Sequence, residues 1–596
     1  MVTVPRSFIP AMFAVCAALH AQTAFFPLKD IKPGLHGIGK TVFHGNRIDE
    51  FQVEILGVLE NVGPKQNLIL ARLSGGPLAE TGVLQGMSGS PVYIDGKLAG
   101  AVAMAFPFAK EAVTGIRPIE EMVRVTEEGR TPTQVARNEV SLGSLLASRD
   151  LTRLLPATLD SAGTRDSRLI DIATPVSFAG FTRATLDYFA PQLRALGLEP
   201  AQGVSSGGPS DPHMGNPAEL KPGSMISVQL MTGDLSIGAD GTVTYIDGNK
   251  IYAFGHRFLS VGSTALPFTR SEVLTVLPVL SASFKISAPK ETMGVILQDR
   301  NTAIAGELGR AAPMAPVSIT VSRGGKQLDD YRMQMVNDHF LSPLLVQMAI
   351  FNAIDATERA IGASSFRVTG KIELQGSSAP LEVNNMYAAD TGSALIASLS
   401  TAIPLAYVLQ SGFDRLGLKR VDLNIESFDA KKQLQIDGVS ASRREVHPGG
   451  KVELTTMLTG ENGLEVPRTI TYQVPEGLTP GPLYFTVADG MTTNFTELRQ
   501  IVGTQPKSIA QLISIVNSLR ANTKAYIRVW RPEPAFQLEG ADLPDPPPSV
   551  AMILADSRIT QGNITETHNS KIAELEVGAG DSVISGAKTI QVEVKE

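Results

Sequence analysis

From Lys32 to about Met122 the chain is cut into short apolar stretches by glycines and turn pairs, and this punctuation constrains its fold more than any other feature. Lys40 to His44, Glu50 to Val58, Asn67 to Leu73, Pro91 to Ile94 and Leu98 to Ala105 read as strands, with the hairpin pair Asp95-Gly96 between the fourth and fifth. Stretches this short cannot make stable helices and must pair with one another, so half a barrel or a small sandwich is expected.

The pattern then changes. A polar, helix-prone segment runs from Glu120 to about Gly215 and ends in Ser205-Ser206-Gly207-Gly208-Pro209-Ser210-Asp211-Pro212, which is loop chemistry. Strands resume at Met225 to Leu230, Gly241 to Tyr245 and Lys250 to Phe254, with apolar alternation to about Val321. Helical periodicity at Pro343 to Ala356 and Thr391 to Gln410 brackets strand-like Phe366 to Leu374, and Arg420 to Asn424 follows. Val446 to Leu454 opens a run of alternating strands resembling an immunoglobulin-like sandwich, interrupted by a helix at Ile509 to Asn522. At 596 residues the chain exceeds one core and divides into several domains.

Charge and cysteine content exclude several function classes. A net charge of -7 offers no basic surface to a nucleic acid. Arg6, the apolar run Phe8 to Leu19 and a small residue at Ala21 form an export leader over 1–21, so the mature protein is expected to be periplasmic or secreted. The single cysteine, Cys16, falls inside that leader, which excludes cysteine catalysis and disulfides afterwards. Beyond the leader no apolar run reaches the ~18 residues of a membrane span. His-Glu-x-x-His, Cys/His ligand spacing and phosphate-cradling glycine loops are all missing, so no metal or cofactor is expected.

The chemistry centres on Gly86-Met87-Ser88-Gly89-Ser90-Pro91. A hydroxyl is a poor nucleophile at neutral pH and needs a base beside it and N–H donors where an oxyanion forms. Glycines around Ser88 let the backbone turn so that the N–H groups of Gly86 and Ser88 converge on one point. An isolated Gly-x-Ser-Gly is more often a plain turn. Here, however, Val92-Tyr93-Ile94, Asp95-Gly96-Lys97, Leu98 to Val102 and Gly115 to Ile119 follow, in the order of a trypsin-like nucleophile loop, hairpin and groove strand. Val83-Leu84-Gln85-Gly86-Met87-Ser88-Gly89-Ser90-Pro91 resembles the signature of the SpoIVB-type serine peptidase family.

Histidines 36, 44, 213, 256, 339, 447 and 568 survive leader removal, and only His256 has a motif around it. Gly241 to Tyr245 and Lys250 to His256, with Pro222-Gly223-Ser224 and Gly233-Asp234 upstream, are similar to the strand pair that delivers the family's catalytic histidine. The resemblance implies Ser88 as nucleophile, His256 as general base, Gly86 and Ser88 as oxyanion donors, and a protein or peptide substrate. It covers about Lys32 to Met122 and Pro222 to Val321.

This chain departs from the family in two ways. Ser88 precedes His256, whereas the family's histidine comes first; geometry, not order, defines a triad. Where the family's acid stands, this chain has Arg72-Leu73-Ser74-Gly75-Gly76-Pro77, and Glu80, Asp234, Asp240 and Asp247 remain as alternatives. Nor is there a recognisable PDZ domain. The expected fold is mainly β: a trypsin-like double β-barrel peptidase region with an insertion, then an α+β module and an immunoglobulin-like β-sandwich. The expected division is a leader at 1–21, a serine half at 22–125, an insertion and linker at 126–215 looping outside the seam, and a histidine half at 216–330. The α+β module follows at 331–430, the sandwich at 431–505 and a β-rich region at 506–596. The rival from another class is a non-catalytic envelope scaffold or binding protein that keeps the peptidase fold.

Overall fold

The computed structural model describes residues 23–106, 109–128, 142–148, 151, 170–172, 174–202, 213–280, 282–357, 364–413, 415–500, 506–538, 541–544, 546–555, 564–567 and 569–596. The leader with Cys16 and Ala21 lies outside them, as does His568.

Six antiparallel strands follow the first punctuated region: β1 (His36–His44), β2 (Arg47–Gly63), β3 (Gln66–Ser74), β4 (Pro91–Ile94), β5 (Lys97–Ala105) and β6 (Val113–Pro118). They pair in the order β4-β1-β2-β3-β6-β5, and β4 pairs back onto β5, so the sheet closes on itself. The expectation of half a barrel is therefore corrected. Closure follows from curvature that a strand list does not show: β2 is long, and bulges between Ile55 and Gly57 and between Leu59 and Gly63 bend it. Phe51, Val53, Ile55, Ile69, Leu73, Val92 and Val102 fill the interior.

Three strands arise from the stretch expected to loop outside: β7 (Ile170–Asp171), β8 (Thr174–Ala179) and β9 (Leu198–Gln202). β7 adds to β5 of the first barrel, while β8 pairs with a strand of the second. Those 126–215 residues that are described are thus built into both sheets, correcting the picture of an external loop. Open strand edges attract any chain with free backbone groups, and these strands cover two such edges.

The second unit contains β10 (Met225–Gly233), β11 (Ser236–Asp247), β12 (Lys250–Ala253), β13 (Gly262–Leu277), β14 (Phe284–Arg300) and β15 (Ala303–Leu308). The pairings β10–β13, β13–β14, β14–β15, β15–β12, β12–β11 and β11–β10 form a second closed ring. Its sheet continues outward through β16 (Met314–Arg323), β17 (Lys326–Val336), β18 (Ser364–Gln375), β19 (Leu381–Ala389) and β20 (Gly417–Phe428). The division drawn at 330 falls inside β17. Helices Leu341–Thr357 and Ser393–Leu409 lie within this extension; the first is buried on nearly every face and starts where the Asp338 carboxylate accepts the Phe340 and Leu341 N–H groups at 2.9 Å each.

Beyond Gln433 two sheets pack face to face. One contains Gln433–Ala441, Lys451–Thr459, Glu465–Gln473 and Val583–Ser585; the other contains Glu445–Val446, Gly481–Asp489, Lys524–Arg531, Ser570–Gly578 and Ala587–Val594. Leu434, Val452, Leu454, Phe485, Ile527 and Val592 share their core, giving the expected sandwich, which draws strands from both sides of residue 505. The helix read as Ile509 to Asn522 ends at Asn517.

The two barrels meet along a seam. Gly45 and Val273 exchange backbone hydrogen bonds at 2.7 and 2.8 Å, and Leu98 and Ala101 of the first barrel share a small core with Tyr245, Tyr252 and Ala305 of the second.

Candidate functional site

The turn between the short helix Leu78–Thr81 and β4 carries Ser88. Gly86 and Gly89 sit at φ +89° and +93°, conformations that a side chain strains. Gly89 is also pressed against the second barrel: a Cβ there would lie 2.0 Å from the Thr242 carbonyl oxygen and 2.5 Å from the Phe254 nitrogen. The turn is lashed to its own barrel by Gly89 N–H on the Val102 carbonyl at 2.8 Å and Val102 N–H on the Ser90 carbonyl at 3.0 Å.

Across the seam β11 takes up the turn's carbonyls. Thr242 N–H donates to the Ser88 carbonyl at 2.8 Å, Thr242 Oγ1 to the Gly86 carbonyl at 2.9 Å, and Thr244 Oγ1 to the Gly89 carbonyl at 2.7 Å. Thr242 and Thr244 are two apart on a strand and therefore face one side. With its carbonyls held outward, the turn keeps the Gly86 and Ser88 N–H groups uncommitted: among the described residues neither donates to a backbone carbonyl. Ser88 is fully buried, and its Oγ has no hydrogen-bond partner among the described residues.

Three residues beyond β12 comes His256, after Phe254 and Gly255 turn the chain at φ +70° and +72°. The imidazole is buried. Its Nδ1 lies 2.6 Å from the Arg257 carbonyl oxygen. A carbonyl can only accept, so Nδ1 carries the proton and Nε2 is left as the bare acceptor, the tautomer a general base requires. Nε2 too is buried, with no hydrogen-bond partner among the described residues. Burial lowers the His256 pKa; the nearby Asp171 carboxylate opposes that, while Arg117 and Arg257 add to it. Burial thus favours the uncharged ring.

The loop after His256 is fixed by one buried carboxylate. Asp299 accepts N–H groups of Phe258 at 2.8 Å, Leu259 at 2.7 Å and Val261 at 3.2 Å. Burial raises its pKa, and these backbone bonds counter the rise.

The turns that carry Ser88 and His256 both lie against the Val102 carbonyl. Gly89, next to Ser88, donates to the Val102 carbonyl, and a Cβ on Gly255, next to His256, would lie 3.3 Å from that same oxygen. Ser88 Oγ and His256 Nε2 do not hydrogen-bond to each other. His36, His44, His213 and His447 are exposed, and His339 holds the Leu416 carbonyl at 2.8 Å, away from the seam.

None of the four carboxylates considered from sequence bonds to His256. Glu80 and Asp247 are exposed, Asp234 accepts the Arg332 N–H at 2.7 Å, and Asp240 accepts the Ser287 hydroxyl at 2.6 Å. The expectation that a carboxylate takes the second ring nitrogen is therefore corrected: a backbone carbonyl does so, because the turn at Gly255 brings His256 back over its own next peptide. Asp171, from the stretch read as a linker, is the carboxylate whose charge acts on the ring, and it pairs with Arg257 at 3.7 Å. Asp171 and Asp299 have no motif around them; Thr242 and Thr244 lie within the Gly241 to Tyr245 segment, but nothing in it marked them as the residues that hold the Ser88 turn.

Within the described residues no group of three or more His, Cys, Asp or Glu could hold a metal ion, and no helix is long and apolar enough to cross a membrane. No curated protein and no solved structure matches the chain. The family model described as SpoIVB peptidase S55 matches residues 20–123, so the barrel that carries Ser88 is similar to that peptidase family, and the barrel that carries His256 lies outside the match.

Proposed function

We propose that this protein is an exported serine endopeptidase in which Ser88 attacks the peptide carbonyl and His256 is the general base. His256 Nε2 takes the Ser88 proton as the C–O bond forms, and the Gly86 and Ser88 N–H groups receive the oxyanion. The imidazolium then returns the proton to the leaving amine; water, deprotonated by the same nitrogen, releases the acyl group and regenerates Ser88. The observation that carries this reading is the paired orphaning of Ser88 Oγ and His256 Nε2 on turns held against each other across the seam. Other buried polar atoms among the described residues also lack partners, but these two are a hydroxyl and an imidazole nitrogen, the pair that acyl transfer needs, on neighbouring turns.

A fluorophosphonate probe tests it. The wild-type chain should be labelled on Ser88, and Ser88→Ala should abolish both labelling and peptide cleavage; labelling that persists in Ser88→Ala defeats the assignment. Export is proposed from the leader, with the mature N-terminus near Gln22, and terminal sequencing of an exported chain that begins at Met1 would contradict it.

One observation favours a second reading. Ser88 and His256 are 0% and 1% exposed, so substrate must open the seam before it can meet either. A scaffold or binding protein that keeps the peptidase fold needs no such opening. A wild-type chain that takes no probe over hours would favour that reading.

A further inference from the structure

Behind the Ser88 turn lies a buried charge that the mechanism above does not use. Lys285, on β14 of the second barrel, is 2% exposed and sends its Nζ to Thr41 Oγ1 on β1 of the first barrel at 2.7 Å. Thr41 in turn accepts the Ser90 hydroxyl at 3.1 Å, two residues past Ser88. On its way the lysine stem passes the other side of the turn: a Cβ on Gly86 would lie 3.4 Å from Lys285 Cδ. Lys285 N–H also donates to the Gln85 carbonyl at 3.2 Å. One residue therefore grips the turn at Gln85, at Gly86 and, through Thr41, at Ser90.

We propose that Lys285 is a positioning residue of the Ser88 site, holding the turn from Gln85 to Ser90 in register across the barrel seam through Thr41. This rests on the reading of Ser88 as nucleophile and adds a device that sets when the turn is correctly placed. Burying an ammonium is costly unless partners compensate it, and a methionine would fill the same space without that cost.

The charges that face Lys285 are Asp240 on β11 and Asp49 on β2. Burial lowers the lysine pKa to about 7, with both carboxylates opposing the drop. Burial raises Asp240 to about 6, against hydrogen bonds from Ser227, Ser287 and Ser177 and the charge of Lys285. The ammonium is thus present below about pH 7 and lost above it. His256 works in the opposite sense, since it must be neutral to accept a proton. The labelling rate at Ser88 should therefore rise as His256 deprotonates and fall again as Lys285 does.

The test compares wild type, Lys285→Met, Thr41→Val and the charge-balanced pair Asp240→Asn/Lys285→Met, the last guarding against a single variant that misfolds around an orphaned carboxylate. Two readouts are taken: the pH profile of fluorophosphonate labelling, and hydrogen–deuterium exchange of the peptide covering residues 83–91. Lys285→Met and the pair should lose the alkaline limb and label roughly tenfold more slowly at pH 6.5, with faster exchange across 83–91. Thr41→Val, which keeps the charge but breaks the link to Ser90, should show the faster exchange. Folded variants with wild-type exchange overturn the proposal whether or not Ser88 is reactive. An alkaline limb that persists without Lys285 overturns it as well. Absence of labelling in the wild type fails the nucleophile reading alone, and exchange still decides the role of Lys285.

Discussion

The amide of Thr242 donates to the carbonyl of Ser88 at 2.8 Å, so a strand of the second barrel holds the candidate nucleophile of the first by its backbone. The same strand leads through a hairpin to β12 and His256. Neither barrel presents the pair by itself, and perturbations of the seam should reach both.

Gly89 packs directly against the second barrel. Gly89→Ala should destabilise the protein by roughly 3 kcal/mol or more, since the new methyl meets the Thr242 carbonyl oxygen at 2.0 Å on a backbone at φ +93°. Chemical denaturation measures this, and a change under about 1 kcal/mol would show that the seam yields freely.

Thr242→Val and Thr244→Val each leave a buried carbonyl of the Ser88 turn without its hydroxyl donor. Each should cost about 1 to 3 kcal/mol, again read by denaturation. The double variant should depart from the sum of the singles, because both hydroxyls hold one turn.

His256→Ala should slow labelling and cleavage by ~10² to 10⁴-fold, while His447→Ala, at an exposed histidine bonded near Glu596, should not. Equal losses at the two positions would remove His256 from the mechanism.

Asp171→Asn distinguishes an orienting carboxylate from an orienting carbonyl. Asp171 favours the charged imidazole, so its removal should lower the His256 pKa further and carry the acid limb of activity to lower pH. The rate at pH 7 should change less than tenfold, because the Arg257 carbonyl still holds the tautomer. A loss near ~10⁴-fold, as when a triad acid is replaced, would make Asp171 the third member.

Asp299→Asn replaces a two-oxygen acceptor with one oxygen and an N–H₂ that faces backbone donors. It should cost about 2 kcal/mol and reduce activity through the loosened loop after His256. Wild-type activity in a folded Asp299→Asn would separate that loop from the base.

The sequence by itself determined what depends on neighbours along the chain. Turn pairs and two-residue alternation marked the middles of β1 to β5 and β10 to β12, because turns and side-chain period are local, although β1, β2 and β11 run several residues beyond the marked stretches. The glycines around Ser88 were legible for the same reason: a positive φ is a local demand, and Gly86 and Gly89 meet it. Tertiary structure decided everything that depends on long-range pairing. Whether six strands stop at half a barrel or close depends on bulges and twist accumulated around the ring: Asp95-Gly96 announced the β4–β5 hairpin, but the β4–β1 pairing that closes the ring has no signature in either segment. The partner of His256 was sought among carboxylates, yet a peptide oxygen one residue away takes that place, since a turn at Gly255 makes the backbone itself the acceptor. Lys285 lies far along the chain from Thr41, in a strand that reads as ordinary alternation; only barrel packing turns it inward against the Ser88 turn. Residues are chosen locally for the shape of the backbone, whereas the environment that makes a hydroxyl, an imidazole or an ammonium unusual is assembled from chain segments that meet only when the fold is complete.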